Sequence, residues 1–257
     1  MKKVFVFFFI ALLFSTCLAQ QQPQLAYAEI LFDKNNFSEA LTIYTELEKQ
    51  HDQPMYHYIC YKKAFCLYEL IQYDEALTTV KQAIKITKDQ SRYKWIKGSS
   101  YWLEGRIYSK KDENKKAVQS FYKALDYVPE SRLYATIGYK EIQLKQYKKA
   151  LDNLNKAIEL DSKTAYAYSN RAWLYIHYGK LKEARTDITT AIRLDPANPY
   201  AYKHRALIFI EQKEMDKACE DLHKAEELGY YDFGNEADKN EVADLLLKYC
   251  TSFDPTN

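Results

Sequence analysis

Glycine and proline are scarce, with six of each in 257 residues. A turn-rich β architecture needs many more, so their scarcity, beside abundant Ala, Leu, Lys, Glu and Tyr, points to long helices. An excess of one charge is also missing: 37 basic residues face 35 acidic ones. Two of the basic residues, Lys2 and Lys3, fall in a segment expected to be removed, which leaves 35 of each sign. Nucleic-acid binders need a basic surplus to neutralise phosphates, so that class of partner is excluded. No polybasic membrane patch stands out. There is no Cys-x-x-Cys, no His-Glu-x-x-His, no Gly-rich phosphate loop and no Gly-x-Ser-x-Gly elbow. The five histidines, His51, His57, His177, His204 and His223, are scattered along the chain. Neither a metal site nor a cofactor is expected, and without a catalytic constellation the chain reads as a non-enzyme.

The start of the chain carries its own signal. Met1-Lys2-Lys3 precedes an apolar run from Val4 to Phe14 and then Ser15-Thr16-Cys17-Leu18-Ala19-Gln20. A charged start, a short apolar stretch and a small residue at a cleavage point form a secretory signal. The run is well short of the roughly 20 apolar residues of a membrane span, so no span is expected once residues 1–19 are removed. Export to the periplasm or the medium follows; lipid attachment at Cys17, giving an outer-membrane lipoprotein, is the alternative. An oxidising compartment allows disulfides to persist. Cys60 and Cys66 are six residues apart on one expected helix, point to different faces, and read as buried small hydrophobes. Cys219 and Cys250 belong on neighbouring antiparallel helices and can clamp the C-terminal end if their Cα atoms come within about 7 Å.

What the chain does have is internal repetition. The trio Gly138, Ala150, Ala157 recurs 34 residues on as Ala172, Ala184, Ala191, and again as Ala206, Ala218, Ala225. A step of 33 backwards gives Gly105, Ala117, Ala124. Further steps of 41 and 36 give Ala64, Ala76, Ala83 and then Ala28, Ala40, Leu47. Small residues at these places let two helices of a hairpin approach and let the second pack on the next hairpin. Larger apolar residues, such as Tyr168, Tyr175, Leu181 and Ile188, fill the other inner positions at helical spacing. Short polar turns, Lys145-Gln146-Tyr147 and Tyr178-Gly179-Lys180, join the helices, and Pro129 and Pro196 end units.

Tyr134-Ala135-Thr136-Ile137-Gly138 with Tyr147-Lys148-Lys149-Ala150, and Tyr168-Ser169-Asn170-Arg171-Ala172 with Ala191-Ile192-Arg193-Leu194-Asp195-Pro196, resemble the tetratricopeptide repeat. Ala218-Cys219-Glu220-Asp221-Leu222 through Leu228-Gly229-Tyr230, ending in Lys248-Tyr249-Cys250, resembles the terminus of exported bacterial members of that family. The resemblance runs from about Gln24 to Tyr230. It implies an all-α fold over residues 20–257, a right-handed α-α superhelix of six hairpins whose first helices line a concave groove. The units fall at about 21–54, 57–90, 98–130, 131–164, 165–198 and 199–232. A capping helix over 235–250 starts at Asn235 and covers the open end through Val242, Leu245, Leu246 and Tyr249. The longer step between Ile86 and Gly98 either lets Asp89 cap an early start of the third unit's first helix or extends the helix before it.

By that arrangement Tyr166, Asn170, Trp173 and His177 share a stripe facing the groove. The same alignment places Tyr58, Tyr61, Lys62, Phe65 and Tyr68 there in the second unit and Trp102, Arg106 and Lys110 in the third. It adds Arg132, Tyr139 and Gln143 in the fourth and Lys203, His204 and Leu207 in the sixth. Tyr, Trp and Arg anchor interfaces because they join large contact area to a polar handle. The expected partner is therefore a protein or extended peptide, bound by an envelope scaffold. Self-associating assembly and carbohydrate stacking are the alternatives. The family's carboxylate clamp for chaperone tails is not expected, since only Asn170 matches it; Ala135, Tyr139, Tyr200 and His204 stand at other clamp positions.

Overall fold

The computed structural model describes residues 23–50, 55–87, 93–230 and 241–250. The leader with Cys17, His51, and the caps expected at Asp89 and Asn235 lie outside them.

Every regular element among the described residues is a helix. The chain divides into two units at Val128/Pro129. The first holds α1 (23–33), α2 (Phe37–Glu48), α3 (Tyr56–Glu69), α4 (Tyr73–Ile86), α5 (Lys94–Lys110) and α6 (Asn114–Leu125). The second holds α7 (Ser131–Gln143), α8 (Tyr147–Leu160), α9 (Ala165–His177) and α10 (Leu181–Leu194). It continues with α11 (Pro199–Glu211), α12 (Met215–Glu227) and α13 (Glu241–Tyr249). Consecutive helices pair as hairpins. Within each unit the first helices of successive hairpins also touch: α3 with α5, α7 with α9, and α9 with α11.

The small residues do what their spacing requires. Ala150, Ala157, Ala172, Ala184, Ala191, Ala206, Ala218 and Ala225 are all fully buried. At Gly105 and Gly138 the facing helix leaves no room even for a Cβ. A Cβ on Gly105 would lie 2.5 Å from the Phe121 ring, and one on Gly138 would lie 2.7 Å from Leu154 Cγ and 3.2 Å from the Ala150 carbonyl oxygen.

Each hairpin turns on one left-handed residue. Asn35, Ile71, Asp112, Lys145, Gly179 and Lys213 have φ between 57° and 69°, and their steps match those of the alanines. The turns close as Schellman motifs: Gln72 N donates to Leu67 O at 2.9 Å, Gln146 N to Glu141 O at 2.8 Å, and Lys180 N to Tyr175 O at 2.8 Å. The turn after α7 is one residue shorter than the sequence suggested, because Tyr147 opens α8. Ile71 is the costly case, a β-branched residue in the left-handed region with 71 % of its surface exposed and so little packing in return. Ile71→Gly should raise the first unit's stability by about 1 kcal/mol, read as a higher urea midpoint; an unchanged or lower midpoint would contradict strain at this turn.

The long repeat step resolves as an early helix start. α4 ends at Ile86 and α5 begins at Lys94, giving the third hairpin a longer first helix. Trp95, 49 % exposed, sets its edge against Tyr58 and Tyr61 with ring centroids 5.7 and 6.5 Å apart.

Candidate functional site

Hairpins of this kind bury polar pairs as well as small residues. Three residues after the second-helix alanine stands a buried polar side chain in five hairpins, Thr79, Ser120, Asn153, Asp187 and Asp221, while the first hairpin has the partly buried Ile43 there. In two hairpins an arginine from the first helix clasps it. Arg171 donates from Nε and Nη2 to the two carboxylate oxygens of Asp187 at 2.7 and 2.8 Å. Arg205 does the same to Asp221 at 2.7 and 2.6 Å. Where the arginine position holds Ile137, Asn153 turns to Glu141 instead and donates to its Oε2 at 2.8 Å. These staples fix the first helices, and with them the face those helices present.

In the first unit that face is largely consumed by packing. The Arg106 guanidinium sits 4.4 Å from the Tyr68 ring centroid and 4.7 Å from that of Trp102, with Glu69 3.6 Å away. Tyr68 is therefore a correction: it is 6 % exposed, buried beneath Arg106 and beside Phe65 and Tyr73, and it offers no open surface. Phe65 packs on Phe32 and Phe37, and Tyr61 is half-buried. Glu29 accepts from Tyr58 at 2.7 Å and pairs with Lys62 at 2.8 Å. Burial alone would raise the Glu29 carboxyl, but Lys62, Tyr44 and Tyr58 together hold it below its ordinary value. The aromatic and basic residues read as groove anchors here are mostly contacts among α1, α3 and α5.

The second unit keeps a cavity of about 260 Å³, room for one or two side chains and smaller than a typical drug-sized pocket. Of the sequence-predicted residues it collects Tyr139 and Gln143 from α7, Asn170 and Trp173 from α9, and Lys203 and His204 from α11. Tyr166 and His177 are exposed on α9, and Leu207 is half-buried on α11; none of the three lines the cavity. The sequence reading missed Tyr147, Tyr200, Tyr230 and Glu241 as lining residues. Tyr200 could have been found by carrying the α11 stripe one turn towards its start, whereas Tyr147 opens α8 beyond the hairpin turn and lies outside any first-helix stripe. Glu241 could not, because its placement depends on how α13 folds back.

The cavity wall is aromatic and its floor polar. Trp173 and His177 stack in parallel at 5.6 Å, and Tyr147 leans on both at 5.9 and 4.3 Å. Tyr200 meets Tyr230 at 4.9 Å. Asn170, Lys203 and His204 were read as open groove positions; they are instead 6, 4 and 4 % exposed, because α9 and α11 pack closely enough to sink them. The Lys203 ammonium pairs with Glu241 at 2.8 Å, and Tyr230 donates its hydroxyl to the same carboxylate at 3.2 Å. The Asn170 side chain lies close enough to the Tyr166 hydroxyl to act on it as a hydrogen-bond partner, but no acceptor meets its Nδ2 at full hydrogen-bonding geometry. A buried donor without an acceptor is costly and calls for an explanation.

His204 Nδ1 lies 3.2 Å from both the carbonyl oxygen and the hydroxyl of Ser169. Burial, with the adjacent Lys203 charge, pushes this imidazole well below its usual value, against the opposing effect of the Ser169 carbonyl. The site histidine is thus neutral near pH 7. As pH falls below about 6.5 the unfolded chain takes up this proton first. Stability should therefore drop by up to about 1.4 kcal/mol per pH unit until the folded state also protonates. Melting the protein and its His204→Leu variant from pH 7.5 to 4.5 isolates the effect; equal slopes would refute it.

The C-terminal end is clamped. Cys219 on α12 and Cys250 just after α13 form a disulfide, with Cα atoms 5.6 Å apart. Val242 is fully buried against α12, with Leu245, Leu246 and Tyr249 packed around the same core. Cys60 and Cys66 are buried and unbonded, and burial pushes both thiols up to about 12.

Family comparison places this geometry. The tetratricopeptide repeat matches residues 98–130, 131–164 and 165–198, three contiguous units. The chain is a tetratricopeptide repeat protein. Residues 25–111 of this repeat protein also match the family of anaphase-promoting complex subunit 5. Among curated proteins it is 27 % identical over 155 residues to the BBSome complex member BBS4 of Bos taurus, covering 58 % of the present chain. It is 24 % identical over 156 residues to the TPR repeat-containing protein MJ1428 of Methanocaldococcus jannaschii, covering 60 % of the chain. It spans 28 % and 26 % of the lengths of those two relatives. Solved structures share the fold. YrrB, described as a TPR protein with an unusual peptide-binding site, superposes with a TM-score of 0.55 at 23 % identity, covering 72 % of this chain and 92 % of YrrB. A repeat protein from Cytophaga hutchinsonii gives 0.61 at 20 % identity, over 91 % and 96 % of the two chains. The Cut9–Hcn1 complex gives 0.68 at 15 % identity, over 88 % and 42 %.

Proposed function

We propose that this tetratricopeptide repeat protein is a non-enzymatic scaffold of the cell envelope that holds a protein or extended peptide at the cavity of its second unit. The observation that carries the reading is the cavity itself. It offers an aromatic wall at Trp173 and Tyr139 and the unsatisfied Asn170 amide, suited to a peptide side chain and an acceptor oxygen. YrrB, a fold neighbour described with a peptide-binding site, is compatible with this use of the fold. Placement outside the cytoplasm is supported by the charged and apolar start of the chain and by the Cys219–Cys250 disulfide, which an oxidising compartment preserves.

Peptides selected on the purified oxidised protein from a displayed random library should bind it and lose about 30-fold in affinity to the Trp173→Ala, Tyr139→Ala variant. Equal affinity for variant and parent would remove the cavity from the function. Fusing residues 1–30 to a phosphatase active only after export tests the location. Activity is expected, and deletion of Val4–Phe14 should abolish it; a silent intact fusion would refute export.

A further inference from the structure

We propose that the cavity selects peptides carrying a carboxylate side chain, and that Glu241 of the chain's own C-terminal helix occupies that carboxylate's place when no ligand is bound. The inference rests on the peptide-binding reading above and names its chemistry.

Lys203 is 4 % exposed, and a buried ammonium needs a counter-charge and hydrogen bonds to remain charged. Glu241 supplies both at 2.8 Å. Its carboxylate is nevertheless 40 % exposed at the side chain, so it sits at the mouth of the cavity, where an incoming group can reach it. The neighbouring His204 is neutral and brings no competing charge. A ligand carboxylate can take over Lys203 and the Tyr230 hydroxyl while Glu241 moves into water, an exchange of one ion pair for another. A neutral ligand has to leave Glu241 in place or strand Lys203, and a cationic ligand meets Lys203 directly.

The mechanical arrangement allows this exchange. Glu241 is the first residue of α13, while the anchors of that helix, Val242, Leu246 and the disulfide at Cys250, hold its body against α12. Displacing the glutamate therefore requires a rotamer change and leaves the helix docked. Asn170, whose Nδ2 has no acceptor in the unliganded cavity, then has a ligand oxygen to bond. Glu241 satisfies the lysine but leaves this amide unsatisfied, as expected of a stand-in that replaces only part of a ligand.

The test uses the full oxidised chain, its Glu241→Gln and Lys203→Met variants, and three probes in calorimetric titrations. The probes are the blocked peptide Ac-Gly-Phe-Glu-Gly-NH2, its Gln counterpart, and free glutarate. Glu241→Gln should bind the Glu peptide about tenfold or more tighter than the parent does. The Gln peptide should show no such gain, and Lys203→Met should bind both peptides alike. If Lys203→Met fails to fold, the Glu241→Gln comparison decides alone. Equal gains for the Glu and Gln peptides, or no gain for either, would overturn the proposal. Glutarate binding as tightly as the Glu peptide would assign the site to small carboxylates and overturn the peptide selectivity. Should neither probe peptide bind while library-selected peptides still depend on Trp173, this inference falls and the broader reading stands.

Discussion

Arg171→Ala is expected to destabilise the second unit by about 3 kcal/mol, seen as a lower urea midpoint. The cause lies less in the lost arginine than in the aspartate left behind. Asp187 is 5 % exposed and receives both arms of the guanidinium. Without them its carboxylate is buried and unpaired, or must take up a proton. The same holds for Arg205→Ala and Asp221, with a smaller loss because Arg205 is 31 % exposed against 18 % for Arg171. Arg171→Met combined with Asp187→Leu should recover most of the stability, since an apolar pair of similar volume leaves nothing unsatisfied. A single substitution no worse than the double would show that the staple contributes nothing.

Cys219→Ser with Cys250→Ser should cost about 3–4 kcal/mol, from releasing a loop of 31 residues in the unfolded chain. The loss should be local. Repeat arrays unfold in pieces, and terminal elements open first. Hydrogen exchange of the α13 amides is therefore the sensitive measurement, with protection falling there and holding in α7 to α10. Unchanged protection of α13 would mean that Val242 and its neighbours suffice to dock the helix. The first outcome also bears on the cavity, because Glu241 is delivered to Lys203 by this helix.

The disulfide was anticipated from the placement of Cys219 and Cys250 on neighbouring helices; the staples were not, although they were within reach. Arg171 and Asp187 recur as Arg205 and Asp221 at the same 34-residue step as the alanines. A search of the repeat for polar periodicity as well as small residues would have found the staples. The left-handed turn residues were harder to see, because only Gly179, Asn35 and Asp112 among the six hairpin turns favour that conformation. At Ile71 and Lys145 the Schellman hydrogen bonds impose it on unfavourable residues.

The site was legible in part. Tyr139, Asn170, Trp173, Lys203 and His204, read as sharing a face, line one cavity, since helical spacing determines direction. Whether they stood open or sunk was not legible, because depth depends on how closely α9 approaches α11. In the first unit the same pattern of aromatics closes on itself around Arg106, and spacing cannot distinguish a ring that waits for a partner from one that already has it.

The amino-acid order by itself determined the helices, their pairing and the faces they share. These follow from which positions are small and which are apolar along a local period, and local geometry needs no knowledge of distant residues. Tertiary packing alone decided that Lys203 meets Glu241, that Asn170 lacks an acceptor and that Tyr68 is covered. Each of those depends on the distance between residues far apart in the chain, which packing sets and periodicity does not encode.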